Sequence, residues 1–368
     1  MVKICHMTSG HDSDDVRIFY RECTSLAAGG YDTYLVARGE NREQNGVHVL
    51  GVGEAPESRL KRITEFAKKI YLKALEVDAD IYHFHDPELL PYGLKLKKRG
   101  KKVIFDSHEN TMYMLLDKKF IPEPIRPAVS SVYKHRVSHI SKQLDSIITV
   151  TPHIAETFEK VNPNTWIVTN YPALTGIEEM PEEKFSRFTV CYTGGIDAQW
   201  SHHIAIPVLS QCGAEYVMCG SGSEDYLEYI KTLPDWDKVD FRGKVPVSEA
   251  RKVQKKSHVG FALLQPSRNT GFKTGTLGNT KLFEYMMAGI PFICTDFELW
   301  KDIVDKYNCG ICVDPNNAAA IADALNFLKN NPEKAVEMGK NGRRAVENEF
   351  NWGTQEKKLL ELYAELTR

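Results

Sequence analysis

Long apolar runs are missing from this 368-residue chain: no stretch of about 18 apolar residues occurs, and no apolar segment follows Met1. That excludes a membrane-spanning helix or secretory leader from the sequence reading and predicts a cytoplasmic protein. An excess of one charge is missing too. With 47 Lys and Arg against 49 Asp and Glu, the net charge of −2 is far from the basic footprint of a nucleic-acid binder. The eight cysteines lack the paired spacing of a disulfide framework, and Cys5, Cys191, Cys219 and Cys294 fall in strand-like runs, as reduced thiols do. Cys309 and Cys312 form a Cys-Xaa-Xaa-Cys pair, but a structural zinc wants a second pair and none follows, so they read as small buried hydrophobes. Short repeats and low-complexity tracts are absent.

What is present is rhythm. Short apolar runs (VKICHM, YDTYLVA, VHVLGV, DIYHFH, KVIFDSH) alternate with amphipathic stretches at about 15–29, 59–76 and 87–98, the βαβ pattern of a parallel sheet covered on both faces. Residues 169–188, rich in Pro, Glu and small polar residues, read as an interdomain linker. The alternation then restarts through FTVCYTGG, AEYVMCGSG, KVDFRGKV, HVGFALLQP, PFICTD and GICVDP. Two doubly wound α/β domains follow, with ligands expected at the C-terminal strand ends. A last helix, about 352–367, carries Leu359, Leu360, Leu362, Tyr363 and Leu366 on a broad apolar face and must pack against something.

Residues 278–296, GNTKLFEYMMAGIPFICTD, carry the chemistry. Asn279 or Thr280 can cap a helix whose first N–H groups, from Gly278 to Lys281, form an anion site at the positive end of the dipole. Lys281 adds a mobile cation. Glu284, one turn on, can accept two hydroxyl hydrogen bonds from a ribose, while Leu282, Phe283, Tyr285 and Met286 supply packing. Gly289 ends the helix and Pro291 prevents its resumption. The plainer alternative is an ordinary α/β helix with an exposed Glu284.

This block resembles the C-terminal signature of the family-four retaining glycosyltransferases. In the expected order, residues 11–38 (HDSDDVRIFYRECTSLAAGGYDTYLVAR), 80–109, 148–158, YTGGI (192–196), FRGKVP (241–246), CGICVDP (309–315) and FNW (350–352) are similar to the same family. The resemblance implies the GT-B fold, two Rossmann-like domains facing each other across a cleft. It implies an acceptor-side domain over 1–170, a nucleotide-sugar domain over 171–350, and a helix over 351–368 that crosses back to the N-terminal domain. It further implies transfer from a nucleoside diphosphate sugar, UDP being the commonest in the family, to a glycan or lipid-linked glycan in cell-surface polysaccharide assembly such as lipopolysaccharide or capsule. No cofactor or metal is expected.

Carried onto this sequence, the donor would meet Gly194 and Gly195, backbone near Lys244 and Val245 for the base, Arg268 and Lys273 as cations, Gly278, Asn279, Thr280, Lys281 and Leu282 at the helix start, and Glu284 at the ribose. His108 would sit over the donor sugar, with Glu109 the other titratable candidate. Gly10, His11, Asp15 and Arg17 would form a loop beside the acceptor or phosphate, although Asp14 or Asp15 could simply cap a helix. Two departures stand out. Thr276 replaces the family's first Glu, and Gly195 and Trp200 stand where the family has a basic pair, so that Arg268 or Lys273 must compensate; Trp200 stacks on a ligand or packs. Two other classes fit the same architecture: a UDP-sugar epimerase, needing no acceptor, and a non-catalytic partner of an active chain.

His83 and His85 share one strand face, but without a third ligand at suitable spacing their reading is structural. The Asp-Xaa-Asp pairs Asp12/Asp14 and Asp78/Asp80 read as caps or loops. Residues 59–142 carry a charge of about +8. Residues 59–76, with Leu60, Ile63, Ala67, Ile70 and Ala74 on one face, and the basic segment 94–119, with an apolar MYMLL loop at 112–116, make peripheral membrane contact an expectation. Nothing in the sequence assigns an oligomeric state.

Overall fold

The computed structural model describes residues 1–117, 121–174 and 183–368. Lys118 and Lys119 of the basic segment, and much of the expected linker, lie outside the described residues. The chain divides into two units, Met1–Asn170 with Trp352–Arg368, and Tyr171–Asn351.

Unit 1 is built on an eight-stranded sheet: β1 (Lys3–Asp12), β2 (Asp32–Arg38), β3 (Arg42–Gln44), β4 (Val47–Gly51), β5 (Ile81–Phe84), β6 (Lys102–Ser107), β7 (Ser146–Thr149) and β8 (Thr165–Ile167). The order is β3-β4-β2-β1-β5-β6-β7-β8, parallel throughout except for the short β3 against β4. All four residues of β5 and of β7 are buried, as expected of strands covered on both faces. The sheet grows in opposite directions from β1, so the C-terminal end of β1 is a switch point, where a ligand crevice opens in α/β sheets.

Two expectations change in this unit. Helix-forming residues 59–77 are π-wound from Arg62 to Phe66, which rotates the face: Phe66, Ala67, Ile70, Tyr71 and Ala74 are buried, but Leu60 is 71% and Ile63 39% exposed. The MYMLL segment is not an exposed loop; Met112 is buried and its neighbours are half-buried. The helix Trp352–Leu366 docks on this unit through Trp352, Gln355, Leu359, Leu362 and Tyr363, a three-and-four spacing that puts one face inward. Trp352 Nε1 donates to Ser25 Oγ at 2.9 Å, and Gln355 Oε1 accepts from the Thr169 N–H at 3.0 Å.

Unit 2 has an all-parallel sheet of β9 (Thr189–Thr193), β10 (Glu215–Cys219), β11 (Val239–Phe241), β12 (Val259–Ala262), β13 (Phe292–Thr295) and β14 (Gly310–Val313), in the order β11-β10-β9-β12-β13-β14. Its switch point is the end of β9. The helix Lys281–Ala288 seats tightly because Gly260 on β12 has no side chain: a Cβ there would lie 2.4 Å from the Tyr285 ring. Gly289, at φ 67°, stops this helix in the left-handed conformation. All eight cysteines are free thiols, and Cys312 faces Cys294 across β13 and β14 at 3.7 Å.

Candidate functional site

In unit 2 the chain leaves β9 through Thr193, Gly194 and Gly195. Gly194 has φ 148°, a backbone that side chains rarely adopt, and a Cβ there would lie 2.5 Å from Lys281 Nζ. The Lys281 ammonium is therefore held against the strand end and is not the mobile cation expected. Its residue is only 9% exposed, and Nζ lies 4.1 Å from the centre of the Trp200 ring and 4.8 Å from that of Tyr192. Among the described residues it makes no hydrogen bond or ion pair. Burial pushes its pKa down to about 8, against the opposing pull of Glu284 and Asp197. Trp200 is buried and packs beneath this cation.

Asn279 Oδ1 accepts the Lys281 N–H at 3.1 Å, while the Thr280 side chain caps nothing and instead donates to Glu284 Oε1 at 2.7 Å. Glu284 Oε2 accepts from Gln254 Nε2 at 3.3 Å, and Gln254 also donates to Thr193 Oγ1 at 2.7 Å. Both oxygens of Glu284 are thus oriented, each with accepting capacity left. The turn after β11 joins the same strand ends, because the Gly220 N–H donates to the Gly243 carbonyl at 2.8 Å; it exposes Lys244 and half-buries Val245. The Leu282 side chain is in the core, so only its backbone N–H can face a ligand. Arg268 stands 5.9 Å from the Phe272 ring, and Lys273 is exposed, its carbonyl accepting the Glu298 N–H. Thr276 Oγ1 accepts the Gly278 N–H at 3.0 Å, which folds the loop into the helix start.

In unit 1, Gly10 and His11, near the end of β1, lie against Asp86, a residue the sequence reading passed over. Asp86 accepts from Thr8 Oγ1 at 2.7 Å and from the N–H groups of Ser9 and Gly10 at 2.6 and 3.0 Å, with His11 Nδ1 at 3.2 Å. Burial pushes the Asp86 carboxyl up, but these hydrogen bonds and His11 outweigh it and hold it well below the carboxylate range. His11 is likewise lowered by burial but raised on balance by Asp86, Asp15 and Asp106. A pocket of about 780 Å³ lies beside them, lined by His85, His108, Glu109, Arg59, Arg62 and Arg136 among others. His108 Nε2 lies 2.9 Å from Asp106 Oδ2; with the N–H there, Nδ1 remains an acceptor with no hydrogen-bond partner among the described residues. Glu109 is exposed and its carbonyl accepts from Ser107 Oγ.

Arg17 and Asp15 do not serve the loop role expected of them. Arg17 is 5% exposed and donates two hydrogen bonds to Asp106, at 2.8 and 3.0 Å, one to the Val168 carbonyl and one to Asn170 Oδ1, with Glu22 as an ion-pair partner at 3.0 Å. A guanidinium so occupied is a structural clamp. Asp15 Oδ1 accepts the N–H groups of Arg17 and Ile18, the capping alternative. The Asp-Xaa-Asp pairs are also structural: Asp12 and Asp14 pair with Arg38 and Arg42, and Asp78 with Lys101, while Asp80 Oδ2 accepts the Lys3 N–H.

Residues 187–345 match the family profile described as Glycosyl transferases group 1, and residues 16–171 that described as Glycosyltransferase Family 4. This chain belongs to the family-four GT-B glycosyltransferases. Over 151 residues, 40% of the chain, it is 31% identical to a Mycobacterium tuberculosis GDP-mannose-dependent alpha-(1-6)-phosphatidylinositol monomannoside mannosyltransferase, of whose length the match spans 38%. Sucrose-phosphate synthase from Thermosynechococcus elongatus shares the fold at TM-score 0.77 and 16% identity, over 100% of this chain and 99% of that one. Anabaena HepE, solved with UDP and glucose, superposes at TM-score 0.75 and 12% identity over 99% and 100%. WaaG, a glycosyltransferase involved in lipopolysaccharide biosynthesis, does so at 0.71 and 14% over 98% and 99%. Among the described residues of this glycosyltransferase, no helix is long and apolar enough to cross a membrane.

One constellation in this family member escaped the sequence reading. His6, Glu22, His83 and His85 converge in the unit 1 interior, all fully buried. Burial pushes the three histidines toward neutrality and Glu22 toward protonation, the latter against the charge of Arg17. The parallel register that pairs His6 with His83 could be read only once β1 and β5 were known to be neighbours.

Proposed function

We propose that this chain is a retaining transferase that moves a sugar from a nucleoside diphosphate sugar to a glycan or lipid-linked glycan in cell-surface polysaccharide assembly. The observation that carries the reading is the Lys281 ammonium, nearly buried on two aromatic faces at a helix start with no carboxylate in contact among the described residues. A cation kept there at such desolvation cost is a receptor for an anion, and a leaving diphosphate is the anion whose charge grows in the transition state. The helix N–H groups and Lys281 supply that stabilisation in place of a divalent ion. Glu284, oriented by Thr280 and Gln254, takes the ribose hydroxyls, and the backbone near Lys244 and Val245 takes the base.

In this reading His108 Nδ1 accepts a hydrogen bond from a sugar hydroxyl, and a donor phosphate oxygen takes the acceptor proton, as retention requires. The unit 1 pocket sets Arg59, Arg62 and Arg136 beside Leu90, Leu115 and Tyr92, a lining suited to an acceptor with an anionic group and an apolar part. The exposed Leu60 and Ile63 next to Arg59, Lys61 and Arg62 support peripheral membrane contact there. Uracil is our choice of base, supported by HepE with UDP; the mycobacterial relative, named for GDP-mannose, makes guanine the rival.

The test is nucleotide release from UDP- and GDP-sugars, with and without glycolipid acceptors in anionic vesicles. Release that requires acceptor and yields an α product from an α donor supports the reading. An isomerised sugar nucleotide formed without acceptor would make the chain an epimerase, and inertness toward all donors a non-catalytic partner.

A further inference from the structure

The interior of unit 1 brings together four donors, of which only His85 also lines the pocket described above, and none is given a step in the transfer chemistry. His6 comes from β1, His83 from β5, His85 from the residue that follows β5, and Glu22 from the helical turn Ile18–Cys23; all four are 0% or 3% exposed. His6 Nδ1, His83 Nε2 and His85 Nε2 lie 4.0, 3.9 and 3.9 Å from Glu22 Oε2, and His6 Nδ1 is 3.0 Å from His85 Nε2. The four donor atoms all lie within 4.8 Å of one another. Bond lengths of about 2.0–2.1 Å to zinc place tetrahedral ligands about 3.4 Å apart, inside the range these atoms span.

The far side of each donor is already occupied. His85 Nδ1 faces Asp106 Oδ2 at 3.3 Å, and His83 Nδ1 and His6 Nε2 face the Tyr363 hydroxyl at 2.8 and 3.2 Å. Arg17 Nη2 stands 3.0 Å from Glu22 Oε1. When the outward nitrogens carry the protons, three imidazole nitrogens with free lone pairs and a carboxylate oxygen surround one buried spot, with no proton left for the 3.0 Å contact between His6 and His85. Such a set repels itself unless a cation joins it. Glu22 Oε2 and His83 Nε2 are indeed buried without a hydrogen-bond partner among the described residues. Outward hydrogen bonds from ligating histidines to a carboxylate or hydroxyl are what orient ligands in metal sites.

We propose that His6, Glu22, His83 and His85 form a closed, four-ligand site for a divalent transition ion, zinc by its donor set and geometry. Four protein ligands with no solvent-facing position make it a structural centre. It ties β1, β5 and the Ile18–Cys23 turn together and, through Tyr363, fastens the Trp352–Leu366 helix to the sheet. Through His85 and Asp106 it also reaches His108, so the ion would hold the candidate catalytic imidazole in place without touching substrate.

The full chain, produced in zinc- or cobalt-supplemented medium and passed through gel filtration in chelator, would be assayed for metal and for cobalt absorption. The expected result is one ion per chain with the intense visible bands of tetrahedral cobalt, both lost in His83→Gln at unchanged far-UV circular dichroism and both kept in His48→Gln, a control at a half-buried histidine outside the cluster. Metal well below one per chain in the wild type, or retained in His83→Gln, would overturn the site and leave a proton shared among the imidazoles. Should His83→Gln fail to fold, Tyr363→Phe decides: a 10–100-fold weaker hold on the ion is expected, and an unchanged one refutes the proposal.

Discussion

Lys281→Met removes a charge that the fold keeps out of water, and its two consequences have opposite signs. With the folded pKa at about 8 against the ordinary 10.5, and 1.36 kcal/mol per pH unit, keeping the ammonium charged costs unit 2 about 3 kcal/mol at pH 7. The Trp200 and Tyr192 faces return about 1–2 kcal/mol of this by cation–π attraction. The methionine variant should therefore be more stable by about 1–2 kcal/mol, its thioether resting on the same rings. Because the native value is the depressed one, the unfolded chain binds more protons between pH 8 and 10.5. Wild-type stability relative to Lys281→Met should accordingly rise with pH across that window and level off above it. Nucleoside diphosphate affinity should fall about 10–150-fold in the variant, the worth of a charge-assisted hydrogen bond of 1.5–3 kcal/mol. Urea unfolding of the unit 2 transition at pH 7 and pH 10, with calorimetric titration of UDP, reads all three. A variant that is less stable at pH 7 and binds UDP as before would refute the anion-receptor account.

Gly10→Ala places a Cβ 2.5 Å from Asp86 Oδ1 and should destabilise unit 1 by about 1–3 kcal/mol, read as an earlier urea transition, with UDP binding unchanged. Arg17→Met leaves Asp106 and Glu22 buried without their cation, at a cost of about 3–5 kcal/mol in the same assay; a mild loss would show that Arg17 is not the clamp described.

The strand and helix alternation was legible because parallel strands buried on both faces leave apolar runs, and β1, β5 and β6 stand where VKICHM, DIYHFH and KVIFDSH predicted. The three-residue β3 carries no such run and was not foreseen. The π-wound turn at Arg62 was equally hidden, since a 3.6 period was assumed through Leu60 and Ile63. At the candidate site the sequence marks residue types but not enclosure. Lys281 reads as a flexible surface cation until Tyr192 and Trp200, more than 80 positions earlier, are seen beneath it. Arg17 reads as a loop cation until Asp106, Glu22 and Asn170 consume its donors. The histidine cluster was invisible for the same reason: a period of two places His83 and His85 together, but His6 reaches them only through sheet order and Glu22 only through the packing of the Ile18–Cys23 turn.

The central claim rests on the helix start of unit 2, and the most direct test is calorimetric titration with UDP, GDP, ADP and CDP in the presence of chelator, repeated on Glu284→Ala. The account predicts micromolar binding of UDP without a divalent ion, weakened by about 1.5–3 kcal/mol when the Glu284 carboxylate that receives the ribose is removed. Absence of binding by every nucleotide, or affinity unchanged in a folded Glu284→Ala, would contradict it.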